Sequence, residues 1–308
     1  MSLSVLTRTT VGHLEFNQKD FLDNYPNRGF KILHDLCGRR EFELPRLVEL
    51  ARRLPDSYVE YYAGQVPVNQ DVNNYPKNGL SVVETVQRIE KCGSWMVLKD
   101  VEMDIPYSDL LRGLLNEVEQ QIDPSMRGMH RTKAFVFISS PNSVTPYHLD
   151  DEHNFLLQIR GCKWVSMWDP KDRTVVPEAQ AEYMMERHHN TDWQRYMPFD
   201  LRFQERATVF ELNAGEGLHF PFGAPHWVKN GPEVSISFSI TYLSEMSERQ
   251  AALYSLNRRM RKMGLEPTPP EGSAWRDSLK YGAVRAARRT KKVLKRLPFE
   301  PKPGSGVE

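Results

Sequence analysis

From Val144 to Trp168 the chain runs VTPYHLDDEHNFLLQIRGCKWVSMW. β-Branched and aromatic residues come here in short runs, interrupted by Asp150-Asp151-Glu152 and by Arg160-Gly161-Cys162. Runs of this kind between turn residues are the texture of strands joined by hairpins, and they predict strands over Thr145–Asp150, Asn154–Arg160 and Lys163–Trp168. In the first of these His148 and Asp150 stand two residues apart. A pleated strand therefore turns both side chains toward one face.

The same texture continues to either side. Ala134–Ser139 precedes the stretch, and Thr208–Leu212, Gly217–Pro221, His226–Lys229 and Val234–Tyr242 follow it. Eight short strands with hairpin-like spacing suit a double-sheet jelly roll or a small closed barrel rather than a parallel α/β sheet. On the last strand Ser235, Ser237, Ser239 and Thr241 alternate with Ile236, Phe238, Ile240 and Tyr242. The apolar face belongs against helices, and the hydroxylic face belongs to a cavity.

The flanks have a different texture. Residues 1–130 mix short helical stretches with connections broken by Pro26, Pro45, Pro55, Pro67, Pro76 and Pro106. Helical spacing is clear over Pro45–Leu54 and Tyr107–Ile122, which read as scaffold helices. An insert at 177–205 opens with a helix over Pro177–His189 and continues as a polar loop. Its Tyr183, Trp193 and Tyr196 are candidates for a substrate wall. After Tyr242 comes a helix over Glu245–Met263, then a break at Pro267, Pro269 and Pro270, then a strongly basic helix over Ala274–Leu297. The reading divides the chain into N-terminal scaffold (1–130), catalytic barrel (131–244), basic C-terminal helices (245–300) and a disordered tail (301–308).

Composition limits the classes. The formal net charge of +1 on 308 residues gives no general pull toward nucleic acid or membrane, so an electrostatic partner needs a local patch. The opening MSLSVLTRTTVGH lacks the apolar core of a secretory signal, and no later stretch has the length of a membrane span, which points to the cytoplasm. Cys37, Cys92 and Cys162 are widely spaced and suggest neither a disulfide framework nor structural zinc.

His148 and Asp150 on one strand face need a third partner from a strand distant in sequence. His226, in FGAPHW after a Gly-Pro turn, fits best. Two imidazoles and one carboxylate on one face of an octahedron leave positions for a bidentate 2-oxo acid and oxygen, the facial triad of non-haem iron(II) oxygenases. His219, in LHFP, is the competitor for the third position. His153 has the opposite strand parity to His148, and His188 and His189 sit in the polar insert. Asp151 and Glu152 flank the pocket mouth or form a solvated loop.

TPYHLDDEHNFLLQIRGCKW (145–164), ELNAGEGLHFPFGAPHW (211–227) and SISFSITY (235–242) together resemble the JmjC and cupin-like 2-oxoglutarate oxygenases, and within them the group with the asparaginyl hydroxylase called factor inhibiting hypoxia-inducible factor. The resemblance covers the middle third of the chain. It implies a double-stranded β-helix barrel, mainly β with flanking α, with N-terminal scaffold helices and C-terminal helices. His148, Asp150 and His226 become Fe(II) ligands, and Lys163, after the Gln-Ile-Arg-Gly turn, the partner of the distal carboxylate of 2-oxoglutarate. A buried dianion needs a cationic donor in any family. Thr145 and Asn154 match cosubstrate-lining positions. Ser239 stands where the hydroxylases often carry asparagine, a departure from the pattern.

These residues imply a dioxygenase that hydroxylates a peptide or protein side chain, or a small metabolite. The alternative is a non-catalytic cupin-like protein that senses a metabolite. The basic helix 274–297 is a candidate contact for an anionic surface or for a homodimer.

Overall fold

The computed structural model describes residues 8–71, 74–185 and 197–294. Five strands come before residue 130: β1 (Arg8–Val11), β2 (Leu14–Asn17), β3 (Phe30–His34), β4 (Val59–Ala63) and β5 (Ser94–Leu98). Eight follow: β6 (His130–Ser139), β7 (Val144–Leu149), β8 (His153–Arg160), β9 (Lys163–Met167), β10 (Thr208–Leu212), β11 (Glu216–Phe220), β12 (Pro225–Asn230) and β13 (Ser235–Leu243). The helices are α1 (Gln18–Asn24), α2 (Leu44–Arg53), α3 (Val82–Gln87), α4 (Ile105–Gln121), α5 (Glu178–Met185), α6 (Glu245–Lys262) and α7 (Ala274–Leu294).

All eight strands read from the sequence are present. The N-terminal third differs from the reading as helices and loops, because β1 to β5 extend the larger sheet at both edges. These strands are only four or five residues long, so β2 (LEFN) and β3 (FKILH) show barely two periods of alternation, and β5 (SWMVL), buried throughout, shows none. Prolines 26, 55, 67 and 76 punctuate the connections between them.

The strands form two antiparallel sheets rather than one closed ring. The larger has the order β1-β2-β3-β11-β8-β13-β6-β5-β4, the smaller β10-β9-β12-β7. This two-sheet arrangement with helices outside is consistent with a double-stranded β-helix. Leu156 of β8 and Leu218 and Phe220 of β11 meet Val165 and Met167 of β9 and Val228 of β12, so these faces look into the space between the sheets. The opposite face of the large sheet, with Phe155, Leu157, Ile236, Phe238 and Ile240, packs on Leu47 and Leu50 of α2 and Leu110 and Leu114 of α4. The outer face of the small sheet carries Tyr147 and Leu149, covered by Ala181 and Met185 of α5 and Ala251 and Tyr254 of α6.

Helix ends follow ordinary capping chemistry. Ser244 caps α6 by accepting from the Ser247 N–H, and Ser247 Oγ accepts in return from the Ser244 N–H. The buried Glu117 of α4 accepts from the N–H groups of His13 and Leu14, which fastens the β1–β2 hairpin to the scaffold. Trp193, Tyr196, His188 and His189, the end of the basic helix at 295–297 and the tail 301–308 lie outside the described residues. No helix among the described residues is long and apolar enough to cross a membrane.

Candidate metal centre

His148, Asp150 and His226 come together, with one ligand atom from each inside a 4.8 Å cluster. β7 and β12 are neighbours, and His148 stands directly opposite His226 in their register. The imidazole centroids are 4.2 Å apart. His148 Nδ1 is 2.7 Å from the Pro146 carbonyl and His226 Nδ1 is 3.0 Å from the Ala224 carbonyl. With those nitrogens donating, each ring keeps the lone pair of Nε2 for the centre, as metal-binding histidines require. Asp150 lies 4.0 Å from His148 Nε2 and 3.8 Å from His226 Nε2. Two metal–ligand bonds of about 2.1 Å end to end span more than this, so one ion reaches all three groups.

Local sequence explains the geometry. β7 is an edge strand of the small sheet, where Pro146 costs no ladder hydrogen bond. The pairing of β7 with β12 slips by one residue between His226 and Val228, a bulge that sets Thr145 opposite Val228 and His148 opposite His226. Thr145 and His148, three residues apart, therefore both belong to the inner face. Gly223 at φ 74° makes the turn into β12, and a Cβ there would collide with Met185.

The centre is graded in exposure. His226 is buried, while the side chains of His148 and Asp150 remain 28% and 41% exposed. Burial, reinforced by His148 and opposed by Asp150, pushes the His226 imidazole down to about 4, so it is neutral at neutral pH. Burial also pushes the neighbouring Glu152 carboxyl up to about 7, with Asp151 and Asp150 adding to the effect. Glu152 is thus half-buried beside the centre rather than in a solvated loop.

Lys163 opens β9 after the turn at Gly161, where φ is 69° and a Cβ would lie 2.6 Å from the Val234 carbonyl oxygen. It is 4% exposed, and no carboxylate lies within ion-pair distance among the described residues. Burial alone pushes its ammonium down to about 7. Lys163 shares a strand face with Val165 and Met167 and pairs with Asn230, while Met167 pairs with His226. It therefore looks into the same inter-sheet space, about 13 Å along the strands from the histidine pair.

The hydroxylic face of β13 also looks inward. Ser239 Oγ donates to Asn154 Oδ1 at 2.7 Å, and Ser237 Oγ donates to Gln158 Oε1 at 2.7 Å. The first bond fixes the Asn154 amide with its NH2 group away from β13. Gln158 and Asn230 were not singled out from the sequence. Both share strand parity with site residues, Gln158 with Asn154 and Asn230 with His226, and that parity was the available signal. Asn230 Nδ2 donates to Ser143 Oγ at 3.0 Å, while its Oδ1 is buried without a protein partner.

His219 and His153 are not in this space. Both lie on the other face of the large sheet, with ring centroids 5.8 Å apart, among Tyr25, Phe155 and Tyr242. Burial pushes them down to about 3 and about 4, respectively. Of the insert aromatics, Tyr183 is at the surface on α5, with Arg258 4.7 Å from its ring centroid.

The chain belongs to the cupin-like domain family, whose match spans residues 64–247. Among curated proteins it is similar to the JmjC domain-containing protein D of Dictyostelium discoideum, with 32% identity over 111 residues. That alignment covers 34% of this chain and 23% of the relative, so the chain matches about a quarter of that protein's length. Among solved structures it is similar to Escherichia coli ycfD, with 15% identity and a TM-score of 0.48 over 92% of this chain and 68% of that one. A second structure, of the E. coli ribosomal oxygenase YcfD, gives 15% identity and a TM-score of 0.46 over 95% and 69% of the two chains. A third, of YcfD with cobalt and 2-oxoglutarate, gives 15% and 0.43 over 92% and 68%.

Proposed function

We propose that this chain is an Fe(II)- and 2-oxoglutarate-dependent oxygenase that hydroxylates an unactivated C–H bond, with a peptide or protein side chain as substrate and a small metabolite as the runner-up. The observation that carries the reading is the pairing of a His-Asp-His cluster with a buried, uncompensated Lys163 on the same inner surface. A cation without a counter-charge in such a place is costly, and a carboxylate ligand relieves it.

In this reading His148 and His226 hold the metal through Nε2, and Asp150 supplies a carboxylate oxygen. The donor set suits iron(II) with open coordination positions. Lys163 holds the far carboxylate of 2-oxoglutarate, Thr145 and Asn154 offer hydrogen bonds along the cosubstrate, and Ser239 fixes the Asn154 amide. When bound, iron(II) supplies the reaction of oxygen with 2-oxoglutarate, which yields succinate and carbon dioxide and places one oxygen atom in the substrate C–H bond. Leu156, Val165, Leu218 and Val228 keep water from the interior side, while the exposed flank of Asp150 and His148 leaves a route for substrate.

Anaerobic titration of the purified chain with Fe(II) and then 2-oxoglutarate tests this. The expected result is the weak visible charge-transfer band of the chelate, lost on Asp150→Ala and weakened on Lys163→Met. Metal binding with no response to 2-oxoglutarate would favour a sensing or binding role over the oxygenase.

A further inference from the structure

α7 carries two large apolar residues, Trp275 and Leu279, on the side turned away from the protein. With 3.6 residues per turn, Asp277, Lys280, Tyr281 and Val284 fall on one side. That side meets the body. Asp277 is 4% exposed and accepts from the Glu271 N–H at 2.7 Å. Lys280 Nζ donates to Asn257 Oδ1 at 2.8 Å and to the Thr268 carbonyl at 2.7 Å.

The opposite side carries Trp275, Leu279, Gly282, Ala283 and Ala286. Trp275 is 65% and Leu279 66% exposed, one turn apart. Arg276, Arg285 and Arg289 flank this stripe and are all exposed. The sequence adds Lys291 and Lys292, and Asp277, turned inward, is the one acid between Ala274 and Leu294. An ordinary surface helix buries its apolar stripe against the core. Here the charged pair faces the protein and the apolar stripe faces out.

We propose that α7 is a membrane-surface helix, which seats Trp275, Leu279 and Ala286 in the interfacial layer of an anionic bilayer with its flanking arginines at the lipid phosphates. The pattern of an apolar stripe with basic borders is that of helices that lie in the membrane plane. A nucleic acid would use the arginines but leave Trp275 and Leu279 in water. A second copy packed stripe to stripe would bring two sets of arginines together with no acid to offset them.

The test is sedimentation of the full-length protein with vesicles of phosphatidylcholine alone and of phosphatidylcholine with phosphatidylglycerol. Binding should need phosphatidylglycerol and weaken with salt. Trp275→Ser with Leu279→Ser should lower the partition at least about tenfold, since both side chains leave the interface. Arg285→Gln with Arg289→Gln should lower it by about fivefold for each charge. Both variants alter exposed residues, so their thermal unfolding should match the parent. Failure to sediment, equal sedimentation with neutral vesicles, or binding indifferent to Trp275 and Leu279 would overturn the proposal. So would tight binding to an oligonucleotide that the Trp275/Leu279 variant retains, or a dimer mass in solution that this variant abolishes.

Discussion

The amide N–H of Gly223 donates to the carbonyl of Asp150 at 2.9 Å. One bond thus ties the turn that precedes His226 to the backbone of Asp150, just past the end of β7. Asp150 lies just beyond that strand, so this contact sets where its carboxylate sits relative to the two histidines. The turn depends on glycine twice, through its left-handed backbone and through the missing Cβ beside Met185.

Gly223→Ala should therefore loosen the centre without removing any candidate ligand. The left-handed backbone costs about 1–3 kcal/mol in a residue with a side chain, and relaxation of that strain shifts the Asp150 contact, while the Met185 methyl must swing aside. Calorimetric titration with manganese should show weaker metal binding than in the parent protein. An unchanged manganese affinity would show that Asp150 holds its position without the Gly223 bond.

The two inner histidines and His219 should separate cleanly. His148→Ala, Asp150→Ala and His226→Ala should each abolish manganese binding while the chain stays folded by circular dichroism. His219→Ala leaves a cavity among Tyr25, Phe30 and Phe155 and should lose stability, on the order of 1–3 kcal/mol, with metal binding intact. Loss of metal binding in His219→Ala with retention in His226→Ala would exchange their roles.

Lys163 gives a pH dependence with a definite sign. Its ammonium titrates at about 7 in the folded chain, against 10.5 as the ordinary value, because burial penalises the charge. Between those values the unfolded chain binds more protons, so stability rises with pH across the window, and the penalty is fully present below about 7. Lys163→Met removes the effect, so its stability advantage over the parent should shrink from pH 7 toward pH 10. Binding of 2-oxoglutarate should reverse the lysine's titration and take up a proton above pH 7, measurable as a buffer-dependent heat. Loss of the charge-assisted bond should weaken 2-oxoglutarate by about 1.5–3 kcal/mol, with manganese affinity kept. Equal 2-oxoglutarate affinities in both proteins would remove Lys163 from the cosubstrate site.

Strand parity explains both what could be read in the sequence and what could not. His148 and Asp150, the alternation of β13 and the opposite parity of His153 all follow from a period of two, and each has the expected facing in the structure. Thr145 does not follow from it. Plain alternation turns it away from His148, and only the slip in the pairing of β7 with β12 returns it to the inner face, which depends on a partner strand about eighty residues away. Asn230 was overlooked for a related reason: an asparagine before a glycine reads as turn chemistry, while here it ends β12 opposite Lys163. β5 is illegible because full burial erases the polar half of the pattern, as in Trp95, Met96, Val97 and Leu98, and the half-buried β4 (VEYYA) is too short to show a period.

Removal of 271–308 should separate the basic helix from the proposed catalytic unit. The cut belongs after the Pro-rich break and not before α6, because Ala251 and Tyr254 of α6 pack with Trp168 and Met185 on the small sheet, and Tyr254 Oη accepts from Arg173 at 3.0 Å. α7 touches the retained body through fewer polar groups, chiefly Lys280 on Asn257 and Thr268, Arg276 on the Thr268 hydroxyl and the Arg249–Ser278 bond at 3.2 Å. Its removal leaves Asn257 without the Lys280 partner but with its bond to the Thr268 carbonyl, a loss worth about 1–2 kcal/mol. Every proposed ligand lies between Thr145 and Ser239, so the truncated chain should keep manganese and 2-oxoglutarate affinities within about twofold of the parent. The family match ends at residue 247, which leaves α7 outside the shared domain. Loss of metal binding in the shortened protein, with α6 still folded, would mean that α7 supports the centre through α6 and that the division at residue 271 is misplaced.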